Sequence, residues 1–333
     1  MILLKKWFAP IALLLCFTLS LSLTGCSASS AQPFSKTGFY FDTVISLTCY
    51  GNDAQTVLDE AFELCEHYEN LLSYTKEGSD IWNINHANGQ PVTVDLETAS
   101  LLQTALYWSE KTDGLIDPTI TPISQLWNFS GDPAGPVPKQ FQLDALLPHV
   151  DYHNIRIDGN TVTIADPDAQ LDLGFLAKGA IADRLKAFFL QKNITSALID
   201  LGGNVLVVGQ KPDGTAFRIG IKKPFSETNE LVDIVSIKDQ SLVSSGNYER
   251  CFWENGVLYH HILDPRTGYP ADTGLSSVTI LSDSSTDGDA LGTSCFLLGY
   301  EKGRELIDSL PDIEALFLLS DGTIYRTDGF PQS

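Results

Sequence analysis

Apolar residues along the chain recur at two spacings, one typical of strands and the other of helices. The run at residues 44–49 is short and contains β-branched side chains, so it predicts a strand. Apolar positions over residues 57–72 keep helical spacing and predict a helix. A second helix is predicted around residues 101–106 and should stop at residues 113–114. Residues 114–150 are rich in Pro and Gly and are predicted to be loop.

Strand signals dominate the second half of the chain. Residues 154–164 predict a hairpin, because Asp158, Gly159 and Asn160 form its turn. Helices are predicted over residues 177–191, 287–298 and 301–309. Further strands are predicted at residues 196–201, 205–208, 217–221, 232–237, 257–262, 276–281 and 314–319. Strands and helices alternate without a simple βαβ repeat, so the predicted fold class is α+β, a single domain with mixed β-sheets and packed helices.

The start of the chain predicts export. Lys5 and Lys6 form a short basic region, and residues 7–23 are mostly apolar, as in a signal peptide. Leu23 to Cys26 resembles the bacterial lipobox, in which the Cys is lipidated and becomes the first residue of the mature protein. A plain signal or membrane anchor with a chance Cys is the alternative interpretation.

The lipobox interpretation divides the chain into three parts. Residues 1–25 are the predicted signal peptide, residues 26–35 the lipidated Cys26 with a short tether, and residues 36–333 the folded domain. Several acyl chains on one Cys hold a protein at a bilayer far better than one chain does. We therefore expect the domain at the cell membrane, lipid-anchored and facing outside the cytoplasm.

The charge is strongly acidic. The whole chain has 21 basic and 42 acidic residues, and loss of Lys5 and Lys6 with the signal leaves a net charge of −23 with His neutral. We expect no nucleic-acid partner, because such binding relies on neutralisation of phosphates by Lys and Arg. An anionic phosphate ligand would need a metal ion or a few well-placed bases.

Four cysteines remain once Cys16 leaves with the signal and Cys26 takes lipid. They are Cys49, Cys65, Cys251 and Cys295. No two have the C-x-x-C spacing, which argues against a zinc site or thioredoxin-like chemistry. Four buried thiols are favoured, although export also permits two disulfides.

Asp289 and Thr293 are four residues apart, so a helix would present both on one face. A carboxylate and a hydroxyl directed at one point suit a hard cation such as Mg²⁺. The competing interpretation is that the aspartates of this segment fill the N-cap and first turn of a helix.

Two other segments carry candidate chemistry. Residues 171–180 run from a strand through a glycine turn into a helix, where free N–H groups and Lys178 could bind an anion, or simply connect the two elements. Residues 261–268 combine His261, a possible base, with Arg266, which could pair with phosphate or with Asp264. His260 and His261 should point to opposite faces of a strand.

The order of these motifs resembles one family, the bacterial flavin transferases of the ApbE type, which are FAD:protein FMN transferases. The resemblance covers roughly residues 36–330. Its motifs here are Phe41–Thr43, Ser73–Tyr74, Ser79–Ile81, Gly114–Thr119 with Leu126–Trp127, Asp172–Gly174, Ala177–Gly179, Leu201–Asn204, Ser244–Gly246, His261–Gly268 and Asp289–Thr293.

The resemblance implies an enzyme that splits the pyrophosphate of FAD with Mg²⁺ and transfers FMN to a Ser or Thr of an acceptor flavoprotein, with release of AMP. By resemblance, Asp289, Thr293 and the backbone carbonyl of Ala177 hold the metal, and His261 deprotonates the acceptor hydroxyl. The implied flavin-nucleotide contacts are Phe41, Tyr74, Leu115, Ile116, Asp117, Gly174, Ala180 and Ile262. The implied partners are FAD and an acceptor flavoprotein of an electron-transfer system.

Two departures from the family pattern affect the predicted flavin pocket. Phe41 and Asp42 stand where Met and Gly are usual, and Asp tolerates fewer backbone angles than Gly does. Phe175 stands where a small residue is common, which should reshape the floor of the pocket. Trp127 and Phe129 could stack on a flat ligand, but aromatic pairs of this kind more often belong to the core.

Two other functions fit the same motifs. One is metal-dependent hydrolysis of FAD to FMN and AMP, with water as the nucleophile. The other is a flavin-binding lipoprotein without turnover. The resemblance places Tyr74 over the flavin site. On that resemblance alone, Tyr74 favours tight binding of FAD and flavin transfer over the two other functions.

Overall fold

A computed structural model describes residues 32–131, 133–228 and 230–332. They belong to one compact unit that begins at Gln32. Within it, none of the helices has both the length and the apolar character required to cross a bilayer. Cys26 and the signal lie outside the described residues, so lipidation stays a prediction. Residues 33–35, assigned to the tether from sequence, are the first residues of a strand.

Seven α-helices, two 3₁₀ helices (Leu147–His149 and Tyr152–Asn154) and fifteen strands make up the described part of this unit. The helices are α1 (Ala54–Leu72), α2 (Asp80–Asn85), α3 (Leu96–Lys111), α4 (Thr121–Trp127), α5 (Gln140–Leu146), α6 (Ala177–Gln191) and α7 (Ser285–Asp308). The strands are β1 (Pro33–Tyr40), β2 (Thr43–Tyr50), β3 (Val92–Thr93), β4 (Ile155–Asp158), β5 (Thr161–Ile164), β6 (Ser196–Leu201), β7 (Asn204–Gly209), β8 (Phe217–Lys222), β9 (Leu231–Ile237), β10 (Ser241–Gly246), β11 (Cys251–Glu254), β12 (Val257–His260), β13 (Leu275–Ser282), β14 (Glu314–Leu319) and β15 (Ile324–Arg326).

An eight-stranded sheet in the order β1-β2-β6-β7-β10-β13-β14-β15 forms the centre of the domain, with every neighbouring pair antiparallel. One face is covered by α1, α6 and α7. Against the other face, the β8–β9 hairpin packs Phe217 and Val235 onto sheet residues such as Val207 and Leu316. Each face buries its own apolar cluster, which explains why β13 is buried along its whole length.

The predicted α+β class is confirmed, and so are several element boundaries. Helix α6 has the predicted bounds, and the hairpin of β4 and β5 turns at Gly159. The two helices predicted near the C-terminus form α7, which is interrupted at Gly299, where φ is +78°. The interruption follows from a backbone angle that L-residues rarely adopt.

The loop predicted over residues 114–150 is wrong in part, because α4 and α5 lie within it. Both helices are only seven residues long. Helix α4 ends at Asn128 in a left-handed conformation, with φ of +50°. Helices this short give too few repeats for a periodic signal, and their flanking turn residues dominate the pattern.

Candidate active site

A cavity of about 680 Å³ collects most of the predicted site residues. It lies where the β1–β2 turn, the end of α1 and the first turns of α6 meet α7 and the segment after β12. The predicted residues on its wall are Phe41, Tyr74, Leu115, Ile116, Asp117, Gly174, Ala177, His261, Ile262, Asp289 and Thr293. The fold therefore brings these residues, which are far apart in sequence, to one cavity.

Helix α7 presents Asp289 and Thr293 to this cavity from one face. The cap of the helix is Ser284, whose hydroxyl accepts a hydrogen bond from the N–H of Asp287 at 3.1 Å. The cap interpretation placed aspartates at the N-cap and in the first turn of this helix. Asp287 does lie in the first turn, but it is not the N-cap. Asp289 lies deeper and is only 4% exposed. The capping and cavity-lining roles thus fall on different residues of this segment.

The first turns of α6 and α7 are locked together at Gly179. Its N–H donates to Asp289 Oδ2 at 2.9 Å. A Cβ at this position would lie 2.2 Å from the carbonyl oxygen of Ser285, so only glycine allows the two backbones to approach this closely. Asp183, one turn along α6, accepts hydrogen bonds from the backbone N–H groups of Ser285 and Thr286, both at 2.9 Å. Asp289 is consequently held in a fixed orientation.

The oxygen donors at this junction fit a hard cation. Asp289 Oδ1 lies 4.0 Å from Lys178 Nζ, which is beyond hydrogen-bonding distance, so this oxygen is available to a further ligand. Thr293 adds a hydroxyl on the same helix face, and Ala177 lies on the cavity wall at the start of α6. A carboxylate, a hydroxyl and a carbonyl are ligands that Mg²⁺ accepts.

His261 faces the cavity, whereas His260 points into the core. The N–H of His261 donates to the carbonyl of Arg250 at 3.0 Å, and the ring nitrogen Nδ1 is buried without a hydrogen-bond partner among the described residues. His260 Nε2 lies 3.2 Å from the carbonyl oxygen of Ala271. Burial, and then the positive charge of Arg250, lower the pKa of His261 to about 3. The imidazole is therefore neutral at physiological pH, the form that has a lone pair for a proton, and the same burial and positive charge make it a weak base.

Asp117 lines the cavity, but its carboxylate is engaged in the fold. Oδ1 accepts from the N–H and hydroxyl of Thr119, and Oδ2 accepts from the N–H of Tyr152 at 2.8 Å. Burial raises the pKa of this carboxyl. Its first role is to hold the loop that carries Leu115 and Ile116 against the cavity.

Phe41 and Asp42 form the two-residue turn between β1 and β2, and both have φ of +56°. This left-handed pair is the backbone that two-residue hairpins prefer, and it normally selects Gly, Asn or Asp. The N–H of Phe41 donates to Glu69 Oε1 at 3.0 Å, which ties the turn to α1. Asp42 therefore adopts the left-handed conformation that glycine, the residue usual at this position in the resembled family, would favour.

Ala180 is the one predicted flavin contact that does not lie on this cavity wall. It lines a second cavity of about 220 Å³, between α1, α3 and the start of α6. Leu72 and Ile181 line both cavities, so the two are separated by a thin wall. The role carried over to Ala180 stays a prediction.

The sequence model of the ApbE family matches residues 41–317 of this chain. The chain belongs to the ApbE family. It is 34% identical over 339 residues to the FAD:protein FMN transferase of Treponema pallidum, covering 96% of this chain and 93% of that protein. It is 37% identical over 299 residues to the FAD:protein FMN transferase of Klebsiella pneumoniae, covering 89% and 92%.

Solved structures of ApbE proteins share the fold. The ApbE protein of Thermotoga maritima superposes with a TM-score of 0.83 at 32% identity, covering 89% of this chain and 97% of that one. The flavin transferase ApbE of Vibrio cholerae gives a TM-score of 0.81 at 28% identity, covering 90% and 98%. The family resemblance drawn from the motifs is therefore confirmed.

Three other sequence hypotheses for this ApbE family member are decided by the geometry. Trp127 is fully buried and donates from Nε1 to the carbonyl of Gly268 at 2.7 Å, so it belongs to the core. Arg266 pairs with Asp264 through two hydrogen bonds, of 2.9 and 2.6 Å, and does not line the cavity. The four cysteines among the described residues are free thiols, with Cys251 half-buried and the other three buried.

Sequence reasoning missed several polar residues of the ApbE cavity. Arg250, Lys222, Lys76, Glu249 and Glu69 line it. None belongs to a spaced pair or a glycine turn, so neither local pattern nor motif spacing singled them out. Arg250 comes beside His261 only through the pairing of β11 with β12, which no sequence pattern here predicted.

A second group of potential metal ligands lies away from the ApbE cavity. His149, Asp166 and Asp168 each direct a ligand atom to within 4.8 Å of the others. His149 Nδ1 already pairs with Asp166 Oδ2 at 2.8 Å, and Asp166 Oδ1 accepts from the N–H of Asp168 at 2.9 Å. These contacts account for the cluster as a turn held by hydrogen bonds of Asp166 with His149 and Asp168.

Proposed function

We propose that this chain is an FAD:protein FMN transferase that uses Mg²⁺ to move FMN from FAD to a Ser or Thr hydroxyl of an acceptor flavoprotein, with release of AMP. The observation that carries the proposal is that His261 and the oxygen donors of Asp289 and Thr293 open into one cavity. The names of the family relatives support the reaction class.

Asp289, Thr293 and the carbonyl of Ala177 are the residues that would hold Mg²⁺. A divalent cation there would offset the charge of the pyrophosphate and of the departing AMP. In a chain with 42 acidic residues this compensation matters, because the protein as a whole repels an anionic substrate. Lys178, next to Ala177, adds a positive charge to the same wall.

His261 is the proposed base. Its neutral imidazole is available to take the proton from the acceptor hydroxyl as that oxygen bonds to the phosphorus of FMN. A base needs hydrogen-bonding reach to the hydroxyl, and the position of His261 on the cavity wall provides access from the cavity. Tyr74 and Phe41, also on the wall, offer aromatic surface for the flavin ring.

We also propose that the enzyme is anchored through Cys26 and works outside the cytoplasm. The basic residues, apolar run and lipobox-like Leu23 to Cys26 occur in the order that lipoprotein export requires. An acceptor in an exported or membrane-bound electron-transfer protein would then share the compartment.

Product analysis separates transfer from its alternatives. The domain from Ser27 onward is incubated with FAD, Mg²⁺ and a candidate acceptor, and free FMN, AMP and acceptor mass are followed. Transfer predicts an acceptor heavier by one FMN phosphoester. Accumulation of FMN and AMP without any mass gain would indicate hydrolysis. Bound FAD that survives purification and does not fall on addition of Mg²⁺ would indicate a binding protein.

A further inference from the structure

Arg250 lies on the cavity wall, next to His261. It directly precedes β11, and its backbone carbonyl accepts the N–H of His261 at 3.0 Å. The pairing of Cys251 with His260 fixes this arrangement across the hairpin of β11 and β12. The backbone of Arg250 is therefore held beside the proposed base.

The guanidinium of Arg250 makes no ion pair within 4.0 Å and no hydrogen bond to any described residue. Arg266 and Arg326, by contrast, each pair with an aspartate at 2.6 Å. Arg156 and Arg218 also have no such partner among the described residues, but neither lines the cavity. Because a guanidinium binds carboxylates and phosphates well, an unpaired one on the cavity wall is available to an anion from outside.

The charge of Arg250 acts on several groups of the cavity. Arg250 opposes the effect of burial on the pKa of both Asp172 and Tyr74, and it helps to lower the pKa of His261. Tyr74, Asp172 and His261 all line the cavity. One cation therefore acts on three separate parts of the wall, which agrees with a guanidinium directed toward the cavity.

We propose that the Arg250 guanidinium binds the FAD pyrophosphate at the phosphoryl group that is transferred. The assignment rests on the proposed function. In that step the acceptor oxygen bonds to the FMN phosphorus, and its proton passes to His261. The bond from this phosphorus to the bridging oxygen breaks, and the electron pair leaves with AMP. Arg250 stabilises the negative charge that spreads over the phosphoryl oxygens.

Riboflavin provides the matched ligand, because it has the flavin ring and ribityl chain of FAD without any phosphate. Affinities for FAD and riboflavin are measured by flavin fluorescence, with Mg²⁺ present, for the wild type, Arg250→Ala, Arg250→Lys and Arg266→Ala. Arg250→Ala should weaken FAD binding by about tenfold to a hundredfold, the size of a lost charge-assisted hydrogen bond, and leave riboflavin binding unchanged. Arg250→Lys should recover part of the loss. Arg266→Ala removes an arginine already paired with Asp264 and should affect neither ligand.

Turnover gives the second readout. With FAD saturating, Arg250→Ala should lower the rate of flavin transfer by about a hundredfold, and millimolar guanidinium should restore part of it. Equal weakening of FAD and riboflavin, or wild-type affinity and rate in Arg250→Ala, would overturn the assignment. A wild-type enzyme that binds FAD through Arg250 but modifies no acceptor would instead refute the transferase function and leave the phosphate contact standing.

Discussion

The carboxylate of Asp289 accepts a hydrogen bond of 2.9 Å from the backbone N–H of Gly179, although the two residues are 110 positions apart in sequence. This contact joins the first turns of α6 and α7 at the residue proposed to hold the metal. Oδ2 of Asp289 thus accepts the hydrogen bond that joins the two helices, and Oδ1 is the oxygen proposed to bind the metal. The two roles can be separated by substitution.

Asp289→Asn should keep an acceptor for the Gly179 N–H while removing the negative charge. We expect near-wild-type thermal stability and loss of Mg²⁺-dependent turnover, because a neutral amide is a poor ligand for a hard divalent cation. Turnover is measured over a Mg²⁺ titration. Asp287→Asn, in the same helix but off the cavity wall, is the matched control and should retain activity. Unchanged activity of Asp289→Asn would refute the metal assignment.

Gly179→Ala should destabilise the domain by about 1–3 kcal/mol, the usual cost of overpacking. The new Cβ would lie 2.2 Å from the carbonyl oxygen of Ser285 and 2.8 Å from the Cα of Thr286, and backbone atoms cannot rotate away. The control is Gly174→Ala, where the nearest atom is Asp172 Oδ1 at 3.2 Å and a side chain can move. Thermal melts compare the two variants. Equal midpoints would show that α6 and α7 can separate without cost.

His261→Asn should leave FAD affinity largely intact but slow transfer by about a hundredfold or more, because a base acts on the nucleophile rather than on the nucleotide. Affinity is measured by flavin fluorescence and transfer by acceptor mass. A parallel loss of affinity and rate would assign His261 a structural or binding role.

The stability of the domain should fall as pH falls from about 6.5 to about 4, in part through His260. Burial lowers the pKa of His260 to about 4, so the unfolded chain binds this proton first and acid favours unfolding across that window. The full effect of this one group is roughly 3 kcal/mol, with His261 acting in the same direction. Urea unfolding at pH 7 and pH 4.5 measures the change.

His260→Gln should reduce this pH dependence, and substitution of the exposed His153 to Gln should not. The same slope in the wild type and His260→Gln would contradict the account of His260.

Asp42→Gly should stabilise the β1–β2 turn by up to about 1 kcal/mol, because φ of +56° is free of steric penalty only for glycine. Asp42→Asn tests the charge separately, since Asn is neutral and tolerates the same left-handed backbone. Thermal melts of both variants distinguish relief of backbone strain from removal of the carboxylate. Destabilisation by Asp42→Gly would show that the Asp side chain itself holds the turn.

The parts of the site that could be predicted from sequence are those that depend on the spacing of residues close together in the chain. Asp289 and Thr293 are one helical turn apart, and the bounds of α6 follow from its apolar period. The hydrogen bond between Asp289 and Gly179 could not be predicted, because it depends on how two helices dock. Arg250 was likewise hidden, since only the pairing of β11 with β12 brings it beside His261.

The left-handed turn at Phe41 and Asp42 shows a second reason why sequence did not predict the whole site. Phe41 opposes the conformation, and the eight-residue pairing of β1 with β2 imposes it. Phe at a positive φ is rare enough that no local propensity would select it. Tertiary pairing therefore decides the backbone at the rim of the cavity.

The most direct test of the central claim is the ratio of AMP released to flavin attached when the domain acts on a candidate acceptor. Intact mass of the acceptor gives the attached flavin, and chromatography gives AMP. Transfer through the Asp289 and His261 cavity predicts one FMN on the acceptor for each AMP, and no product of either kind with Asp289→Asn. AMP released together with free FMN, while the acceptor mass stays constant, would contradict it.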